Sequence, residues 1–450
     1  MNRRAFLAGA SLAAAGAFPR LQAAPVEVDA RLVRALRRIT FGPRHADVTR
    51  VARIGLRAYV EEQLAPERLA DAAGIRKLTP LDLAVPDLFL LRRGEAAFVL
   101  RKATLLRALN SERQVLERLV EVLRDHLSIS AAKDDVGILA IAFDRDVIRK
   151  HALGSFRDLV RASLEAPAML AYLDGARSSG TSPNENHARE LLELHTLGVH
   201  GGYGQADVSE LARSLTGFTL GERFRVYGEA RFENARHDGL AAHPLGLALT
   251  GDARPDLDAV ASAVSLHAAT ATRLSAKLCR RFAGSMAEPL VSRVAATFTR
   301  SRGNLAATLR AVLLAPELLD APPRFLRPLR GTVSLLRSLE AESDGGNGLQ
   351  ESLRAMGELP FDWPTPDGFP DDEAAWTGRL SARFRFAAAL ASGSVAGTSI
   401  PAALRDETPA ALAPRVIHRS LTFQERRALF ALPPETARAA LLAHPEVLVA

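Results

Sequence analysis

The sequence predicts a mainly α protein: a multi-helix domain with a small β-hairpin insertion near residues 217–236. Three observations lead to this fold class. Apolar residues recur at helical spacing along most of the 450 residues. Near-alternation of apolar and polar residues, set among glycines, is confined to 217–236. The regular exchange of strands and helices that builds a parallel sheet does not occur.

Residues 1–24 are predicted to be a Tat-type signal peptide and not part of the fold. Arg3 and Arg4 precede an apolar stretch over 5–18 that is too short to span a bilayer comfortably. The paired arginines are followed by Phe-Leu and a run rich in glycine and alanine, which favours the twin-arginine pathway over an ordinary secretory signal. We therefore expect an exported protein, periplasmic or extracellular.

Residues 25–450 are predicted to form a single large helical domain. The apolar pattern indicates long helices near 96–128 and 256–282. Two stretches rich in glycine or proline, 342–348 and 360–372, interrupt the pattern and are predicted to be surface loops. Neither is long enough to separate independent domains. Because no later segment holds 18 uninterrupted apolar residues, we predict no transmembrane helix in the mature chain.

The charge pattern argues against a nucleic-acid partner. The chain has 58 basic and 51 acidic residues and a net charge of +7; five of the basic residues are lysine and the other 53 arginine. Three arginines lie within 1–24, so +4 remains in the mature chain. The arginines are dispersed among acidic residues, without the run of like charges that is typical of basic arms. We expect solvated helix faces and no nucleic-acid binding.

The cysteine content excludes further classes of site. Cys279 is the only cysteine, so neither an intramolecular disulfide nor a zinc site with two or more cysteines can form. A chain without disulfides suits folding in a reducing cytoplasm before export.

The central motif, residues 184–217, holds the densest group of polar side chains. At 100° per residue, His195 falls inside the apolar arc of the predicted helix, whereas Asn186, Arg189 and Glu190 lie on the other side. A buried His195 is a candidate general base whose tautomer a carboxylate would fix. The alternative is that these polar side chains cap and bridge helix ends, with His195 a hydrogen-bonded core histidine.

The spacing of the histidines limits metal binding. His187 and His195 are eight residues apart, roughly 12 Å along a helix, so they cannot share one ion. His187 and Glu190 could bind a divalent metal together, but a third ligand must come from elsewhere. Candidates for that ligand are His126, His237, Asp238 and His267. His237 and Asp238 also form a candidate acid–base unit on the turn that closes the hairpin, although turn chemistry explains the Asp-Gly pair equally well.

The central motif strongly resembles the bacterial family catalogued as domain of unknown function 1800. Residues 184–217 read NENHARELLELHTLGVHGGYGQADVSELARSLTG. Residues 35–42, 167–174, 237–239 and 267–282 are similar to further motifs of that family, so the resemblance covers most of the mature chain. Family members are typically exported and often encoded beside a Tat-exported, sulfatase-like family. The resemblance therefore implies an envelope location and a sulfatase-like protein partner, without an established reaction.

The chain departs from the family's motifs at two places. The usual Trp-His-Asn-His-Phe motif reads LRDHL at 123–127, which keeps one of its two histidines. The lysine that usually follows His-Asp-Gly is absent, and residues 241–243 read AAH. A family site that needs both histidines and this lysine would be altered or inactive in this chain.

Two hypotheses for the function therefore stay open. The first is an exported hydrolase-like enzyme, either metal-dependent or working by acid–base chemistry, whose site residues converge on one pocket. Its catalytic candidates are Asn186, Arg189, Glu190, His195, His237 and Asp238, and its metal candidates are His126, His187, Glu190 and His237. The second is a non-catalytic envelope assembly protein that binds the co-encoded sulfatase-like protein. It predicts a large exposed apolar patch and no convergent site.

Overall fold

The computed structural model describes residues 29–92 and 94–450. The predicted signal peptide, 1–24, lies outside the described residues. Helices dominate the described chain, which confirms the predicted fold class.

The helices follow one another through short loops. The first six are α1 Ala30–Ile39, α2 His45–Ile54, α3 Leu56–Gln63, α4 Val85–Leu88, α5 Glu95–Asn110 and α6 Gln114–His126. The next seven are α7 Val136–Ala142, α8 Phe156–Leu164, α9 Pro167–Tyr172, α10 Glu185–Glu190, α11 Gln205–Ser214, α12 Ala253–Leu266 and α13 Ala268–Leu278. Then come α14 Glu288–Arg300, α15 Leu305–Leu313, α16 Glu317–Asp320, α17 Pro328–Ser338, α18 Asn347–Ala355 and α19 Ala374–Thr377. The last five are α20 Leu380–Ala391, α21 Ala402–Arg405, α22 Pro409–Val416, α23 Phe423–Phe430 and α24 Pro434–Leu442.

Three helices continue into wider π turns. These turns are Phe143–Arg149 after α7, Leu191–His195 after α10 and Cys279–Ala283 after α13. Because π turns are rare and often mark functional sites, they draw attention to the segments that contain them.

The predicted hairpin is confirmed. Strands β1, Phe218–Leu220, and β2, Ala230–Phe232, pair antiparallel with Phe218 opposite Phe232, and the two rings lie 5.1 Å apart. This aromatic cross-strand pair stabilises a hairpin too short to stand alone. A second small sheet was not predicted: β3, Glu342–Ser343, pairs with β4, Thr398–Ser399, a segment far away in the sequence.

The structure changes the boundaries of three predicted segments and the exposure of a fourth. The long helix predicted near 96–128 is divided into α5 and α6. The long helix expected over 256–282 breaks at His267, whose imidazole accepts a hydrogen bond from the main-chain N–H of Ala269 and so caps α13. The loop predicted at 342–348 is shorter, because β3 occupies its start and α18 its end. The loop 360–372 has no helix or strand, as predicted, but it is not simply a surface loop, because several of its residues are buried.

The apolar side chains form two clusters that share α5 as a wall. The first cluster is built mainly from residues 33–318, and the second from residues of 329–447 with one face of α5. Leu100 and Ala103 belong to the first cluster, whereas Leu105 and Leu109 belong to the second. A helix that is apolar on both faces is expected between two packed layers. The prediction of one domain over 25–450 stays a prediction.

The abundant arginine is partly internal, in contrast to the expectation of solvated helix faces. Arg38, Arg330 and Arg337 are buried and donate to main-chain carbonyls. Arg38, for example, donates to the oxygens of Leu318 and Ala321 at 3.0 and 2.8 Å. The five N–H donors of a guanidinium suit such clusters of unpaired carbonyls at helix ends. Within the described ranges, no helix is both long and apolar enough to cross a bilayer.

Candidate functional site

The candidate site lies where the end of α6, the π turn after α10 and the last turns of α13 meet. His126 Nε2 lies 2.9 Å from the main-chain oxygen of His195. Arg273 donates to the main-chain oxygen of Leu194 in the same π turn, and Arg281 donates to the Asp125 carboxylate. We call this junction the seam, and it comprises Asp125, His126, His195, Arg273, Lys277 and Arg281.

The π turn Leu191–His195 leaves the carbonyl of His195 free for His126. The main-chain N–H of Gly198 reaches back to the oxygen of Leu192 at 2.9 Å, so the chain leaves the helix before the His195 carbonyl gains a helical partner. Gly198 has a φ of +86°, and a Cβ at this position would lie 2.9 Å from Cδ of Arg273. Glycine is therefore needed both for the turn and for the passage of Arg273.

Two buried imidazoles of the seam carry ring nitrogens without a partner among the described residues. These atoms are His126 Nδ1 and His195 Nε2, and the two rings lie 6.4 Å apart. Burial lowers the pKa of His195 to about 3, and the charges of His187, Arg273 and Lys277 act in the same direction. Burial also holds the pKa of His126 well below its ordinary value. Both rings are therefore neutral at pH 7, and His126, which donates through Nε2, presents Nδ1 as an acceptor.

Lys277 lies four residues from each of the two arginines of the seam, with Arg273 also in α13 and Arg281 in the π turn that follows it. Burial lowers the pKa of Lys277 to about 8, with Arg281 and Arg273 acting in the same direction and Asp371 and Asp125 opposing them. Its side chain is half-buried, and within residues 29–92 and 94–450 it forms neither a hydrogen bond nor an ion pair. An amine with a pKa near 8 exchanges protons readily at neutral pH.

Glu190 is a half-buried carboxyl at the end of α10, directly before the π turn that contains His195. Burial raises the pKa of Glu190, Glu193 adds to the rise, and Arg189 opposes it. Glu190 has no hydrogen-bond or ion-pair partner in the part of the chain that the structure describes. The charges of Glu193, Arg189, Arg273 and Glu190 all act on the phenol of Tyr203, which places these groups around one side chain.

A buried group of ion pairs fixes the end of α6. Arg327 contacts Asp125 at 2.7 Å, Glu121 at 2.9 Å and Glu358 at 2.6 Å. Burial opposes ionisation of Asp125, but Arg327 and Arg281 outweigh it and hold the pKa of that carboxyl below its usual range. Burial raises the pKa of Glu358, although Arg327 opposes the rise. Because Asp125 precedes His126, this group also fixes the histidine.

The loop 360–372 covers the end of α6. Gly368 has a φ of +75°, and a Cβ at this position would lie 2.1 Å from the main-chain oxygen of Asp125, so only glycine fits. Asp371 pairs with Arg281 at 2.8 Å. Beneath the loop lies a cavity of about 30 Å³, which can hold about two water molecules. Its lining includes Glu121, Arg124, Asp125, Glu358 and Trp363.

Two of the predicted catalytic residues have structural partners instead. Arg189 pairs with the Glu185 carboxylate at 3.0 Å and also donates to Gln205. Asn186 donates to the main-chain oxygen of Leu173 at 3.3 Å. For these two residues, the alternative in which polar side chains bridge helix ends fits the contacts. Asn184 caps α10, since its side chain accepts from the main-chain N–H of residue 186 at 2.8 Å.

The His237–Asp238 turn does not join the seam. The two ring nitrogens of His237 lie 2.9 and 3.1 Å from the main-chain oxygens of Thr216 and Gly251. The Asp238 carboxylate pairs with Arg213 at 2.7 Å. These contacts fasten the turn to α11 and to the loop before α12, which gives both residues a structural role.

The predicted metal ligands also fail to gather. His187 is buried beside Gly175, where an added Cβ would lie 2.9 Å from His187 Nδ1, and burial lowers the pKa of this histidine to about 4. Among the described residues, no group of three or more His, Cys, Asp and Glu side chains is arranged to hold a metal ion. In the described part of the chain, the predicted ligand set His126, His187, Glu190 and His237 is therefore not gathered into a metal centre.

Comparison with protein families decides the assignment. The family model described as "Protein of unknown function (DUF1800)" matches residues 34–449. The chain belongs to this family. The resemblance carried by the central motif is thus confirmed over nearly the whole length of the chain. Neither the curated proteins nor the solved structures contain a match to this DUF1800 chain.

The candidate site residues predicted from the sequence did not include Lys277. Arg273, Lys277 and Arg281 are spaced four residues apart, which places them on one face of a helix. Three cations in such a stripe are the signal that could have identified Lys277. Which of them are paired, however, depends on Asp125 and Asp371, which lie far away in the sequence.

Proposed function

We propose that this DUF1800 protein is an exported enzyme that carries out acid–base chemistry at the seam. The observation that supports this proposal best is Lys277: a half-buried amine that has no partner among the described residues and lies beside two neutral imidazoles. Glu190 and Lys277 have pKa values displaced in opposite directions, each toward neutrality. Paired displacements of this kind are characteristic of groups that exchange protons with a substrate.

Four residues of the seam, together with Glu190, receive roles in this proposal. Lys277 accepts a proton from the substrate, and Glu190 donates one. His126 and His195, which stay neutral, orient the substrate through hydrogen bonds, since imidazoles with such low pKa values are poor bases at pH 7. Arg273, which has a carbonyl partner but no carboxylate partner in the described ranges, binds a negatively charged group of the substrate.

Turnover of a substrate panel tests the proposed enzyme. The purified mature protein is incubated with a panel of small carboxylates and phosphates, and consumption is followed by mass spectrometry. We expect one class to be consumed by the wild type and by Asp238→Asn, and to persist with Lys277→Met or Glu190→Gln. The proposal would be contradicted if the wild type consumed none of the compounds. It would also be contradicted if Lys277→Met consumed them as fast as the wild type.

The export proposal has its own test. Residues 1–24 carry the predicted twin-arginine signal, so we propose a periplasmic or extracellular location. Replacement of Arg3 and Arg4 by lysine should retain the protein in the cytoplasm, as fractionation and blotting would show. Normal export of this double variant would argue for a different route.

A second candidate function is attachment to the co-encoded sulfatase-like protein of the envelope. Helix α23 exposes Phe423 at 80% and Phe430 at 84%, and their seven-residue spacing places both rings on one face. Arg426 and Arg427 lie between them. A face that combines exposed rings and cations fits a partner surface that is apolar and acidic.

A binding measurement distinguishes this candidate from the enzyme. The double variant Phe423→Ser, Phe430→Ser should weaken binding to the purified sulfatase-like protein by at least tenfold, because the loss of even one aromatic anchor has about this effect. The matched control replaces Leu90 and Leu240, which are 68% and 69% exposed elsewhere, by serine. Equal binding by both double variants would exclude α23 as the contact surface.

A further inference from the structure

The stripe of cations Arg273, Lys277 and Arg281, which runs along α13 into the π turn after it, is divided into a paired end and an unpaired end. Arg281 contacts two carboxylates, Asp125 and Asp371. One and two turns earlier, Lys277 and Arg273 form no ion pair with any described residue, and the one hydrogen bond of Arg273 goes to a main-chain oxygen. The side chains of the two unpaired residues are half-buried. Within the described residues, the stripe thus holds two cations that have no direct counterion and lie next to the buried imidazoles.

Arg273 and Lys277, two half-buried cations without a counterion among the described residues, favour an anionic ligand. Removing a charge from water is costly unless an opposite charge or hydrogen bonds replace the lost hydration. The guanidinium of Arg273 retains donors suited to a carboxylate. Residues four apart on a helix have Cβ atoms about 5–6 Å apart, so one small molecule can contact both side chains.

We propose that Lys277 forms an imine with a 2-oxo acid, whose carboxylate Arg273 binds. This inference rests on the proposed function, since it gives the same site a substrate class. Arg273 remains charged at every accessible pH and holds the acid group. Within the described part of the chain, Lys277 has no hydrogen bond that would occupy its lone pair. It also lies beside cations, the setting in which lysines act as nucleophiles toward carbonyl carbon.

The imine forms without oxidation or reduction. The Nζ lone pair adds to the carbonyl carbon, the π electron pair moves to oxygen, and one N–H proton is transferred to that oxygen. The nitrogen lone pair then forms the C=N bond while the hydroxyl leaves. Both N–H protons of the neutral amine depart with the carbonyl oxygen as water, and Glu190 carries a proton only in transit.

Reductive trapping tests the imine directly. The full mature chain is incubated at pH 8 with pyruvate and cyanoborohydride, which adds hydride to the imine carbon and leaves a stable secondary amine. Peptide mass spectrometry then locates the adduct among the five lysines. We expect labelling at Lys277 to exceed labelling at each other lysine by about tenfold or more, because imine formation favours a deprotonated and oriented amine. Lys277→Met should remove this adduct.

The charge of the probe tests the role of Arg273. Arg273→Gln should lower the yield with pyruvate by about tenfold, the loss of one charge-assisted contact, but leave the yield with the neutral probe methyl pyruvate unchanged. Thermal melting confirms that the variant is folded, and Arg273→Lys should recover part of the pyruvate yield. Equal labelling of all lysines, or equal loss with both probes, would overturn the proposal.

Acylation separates failure of this inference from failure of the proposed function. Lys277 should react with acetic anhydride with a half-maximal rate near pH 8, the value to which burial lowers its pKa. If Lys277 reacts in this way but gives no pyruvate adduct, the imine is wrong and the acid–base site stands. If it reacts only at the higher pH typical of solvated lysines, both proposals fail.

Discussion

The His237–Asp238 turn and the seam contain the same kinds of residue, yet they differ in how their polar atoms are satisfied. Both ring nitrogens of His237 have carbonyl partners, and Asp238 has Arg213. In the seam, by contrast, His126 Nδ1 and His195 Nε2 have no partner within the described residues. Of these two regions, the seam is therefore the one whose ring nitrogens are available for a ligand.

This difference indicates where stability and function are located. A buried polar atom without a partner costs about 1–3 kcal/mol, so a fold retains such atoms only where the surrounding structure holds them in place. Around the seam, that support comes from Arg327 and Arg281, each of which contacts at least two carboxylates. Substitutions should therefore destabilise most where pairing is complete and impair function most where it is incomplete.

The largest expected effect comes from Arg327. Arg327→Leu leaves three buried carboxylates without their shared partner and should lower the free energy of unfolding by about 3–5 kcal/mol, as measured by urea unfolding at pH 7. The matched variant Arg213→Leu breaks the more exposed pair with Asp238 and should cost only about 1 kcal/mol. Equal losses would show that the two regions are not supported differently.

Acid should destabilise the protein through the buried imidazoles. The pKa of His195 is about 3 in the folded chain, against about 6.5 when unfolded. Between these values the unfolded chain binds the additional proton, so stability is complete above pH 6.5 and is lost as the pH falls. His195→Gln should reduce the slope of unfolding free energy against pH by about 1.4 kcal/mol per unit between pH 6 and 4.

The control for the acid prediction is His200→Gln, because His200 is exposed. Urea unfolding at pH 7, 6, 5 and 4 compares the three proteins. If the slope of unfolding free energy against pH were the same in the His195 variant as in the wild type, the His195 ring would not be a neutral, buried group.

The sequence predicted the fold class and part of the seam. Helical periodicity identified the helices, and alternation over 217–236 identified the hairpin, because both are local patterns. His126, Glu190 and His195 were candidates because they are chemically suited residues, but so were His237 and Asp238. What separates the two groups is the set of hydrogen-bond partners, which lie up to 69 residues away for His126. No local pattern contains that information.

The environments of the arginines were equally hard to predict from local sequence patterns. Dispersed arginines were expected to cover solvated helix faces, yet Arg38 and Arg330 are buried against main-chain carbonyls at helix ends. Which carbonyls need a donor depends on tertiary packing. The stripe of Arg273, Lys277 and Arg281 was visible in the sequence, but its paired and unpaired ends were not.

A smaller effect should distinguish the two histidine environments. His237→Leu removes the ring-nitrogen contacts with two carbonyl oxygens and should cost about 1–3 kcal/mol of unfolding free energy, without affecting Lys277 labelling. His195→Leu removes a ring nitrogen that has no partner in residues 29–92 and 94–450, and should change stability by less than about 1.5 kcal/mol. If the His195 variant proved the less stable of the two, the seam would have a structural role like that of the turn.

The smallest effect on stability is expected at Lys277, where the effect on chemistry should be largest. Lys277→Met retains the aliphatic bulk but removes a charge that burial disfavours, as the lowered pKa shows. The folded state binds this proton less tightly than the unfolded chain, so the wild type should gain stability as the pH rises from 8 toward 10. The variant should lack this gain and be more stable than the wild type at pH 7 by about 1 kcal/mol. Thermal unfolding at pH 7 and 9 measures both effects, and a Lys277→Met protein that is less stable at pH 7 would make this lysine a structural residue.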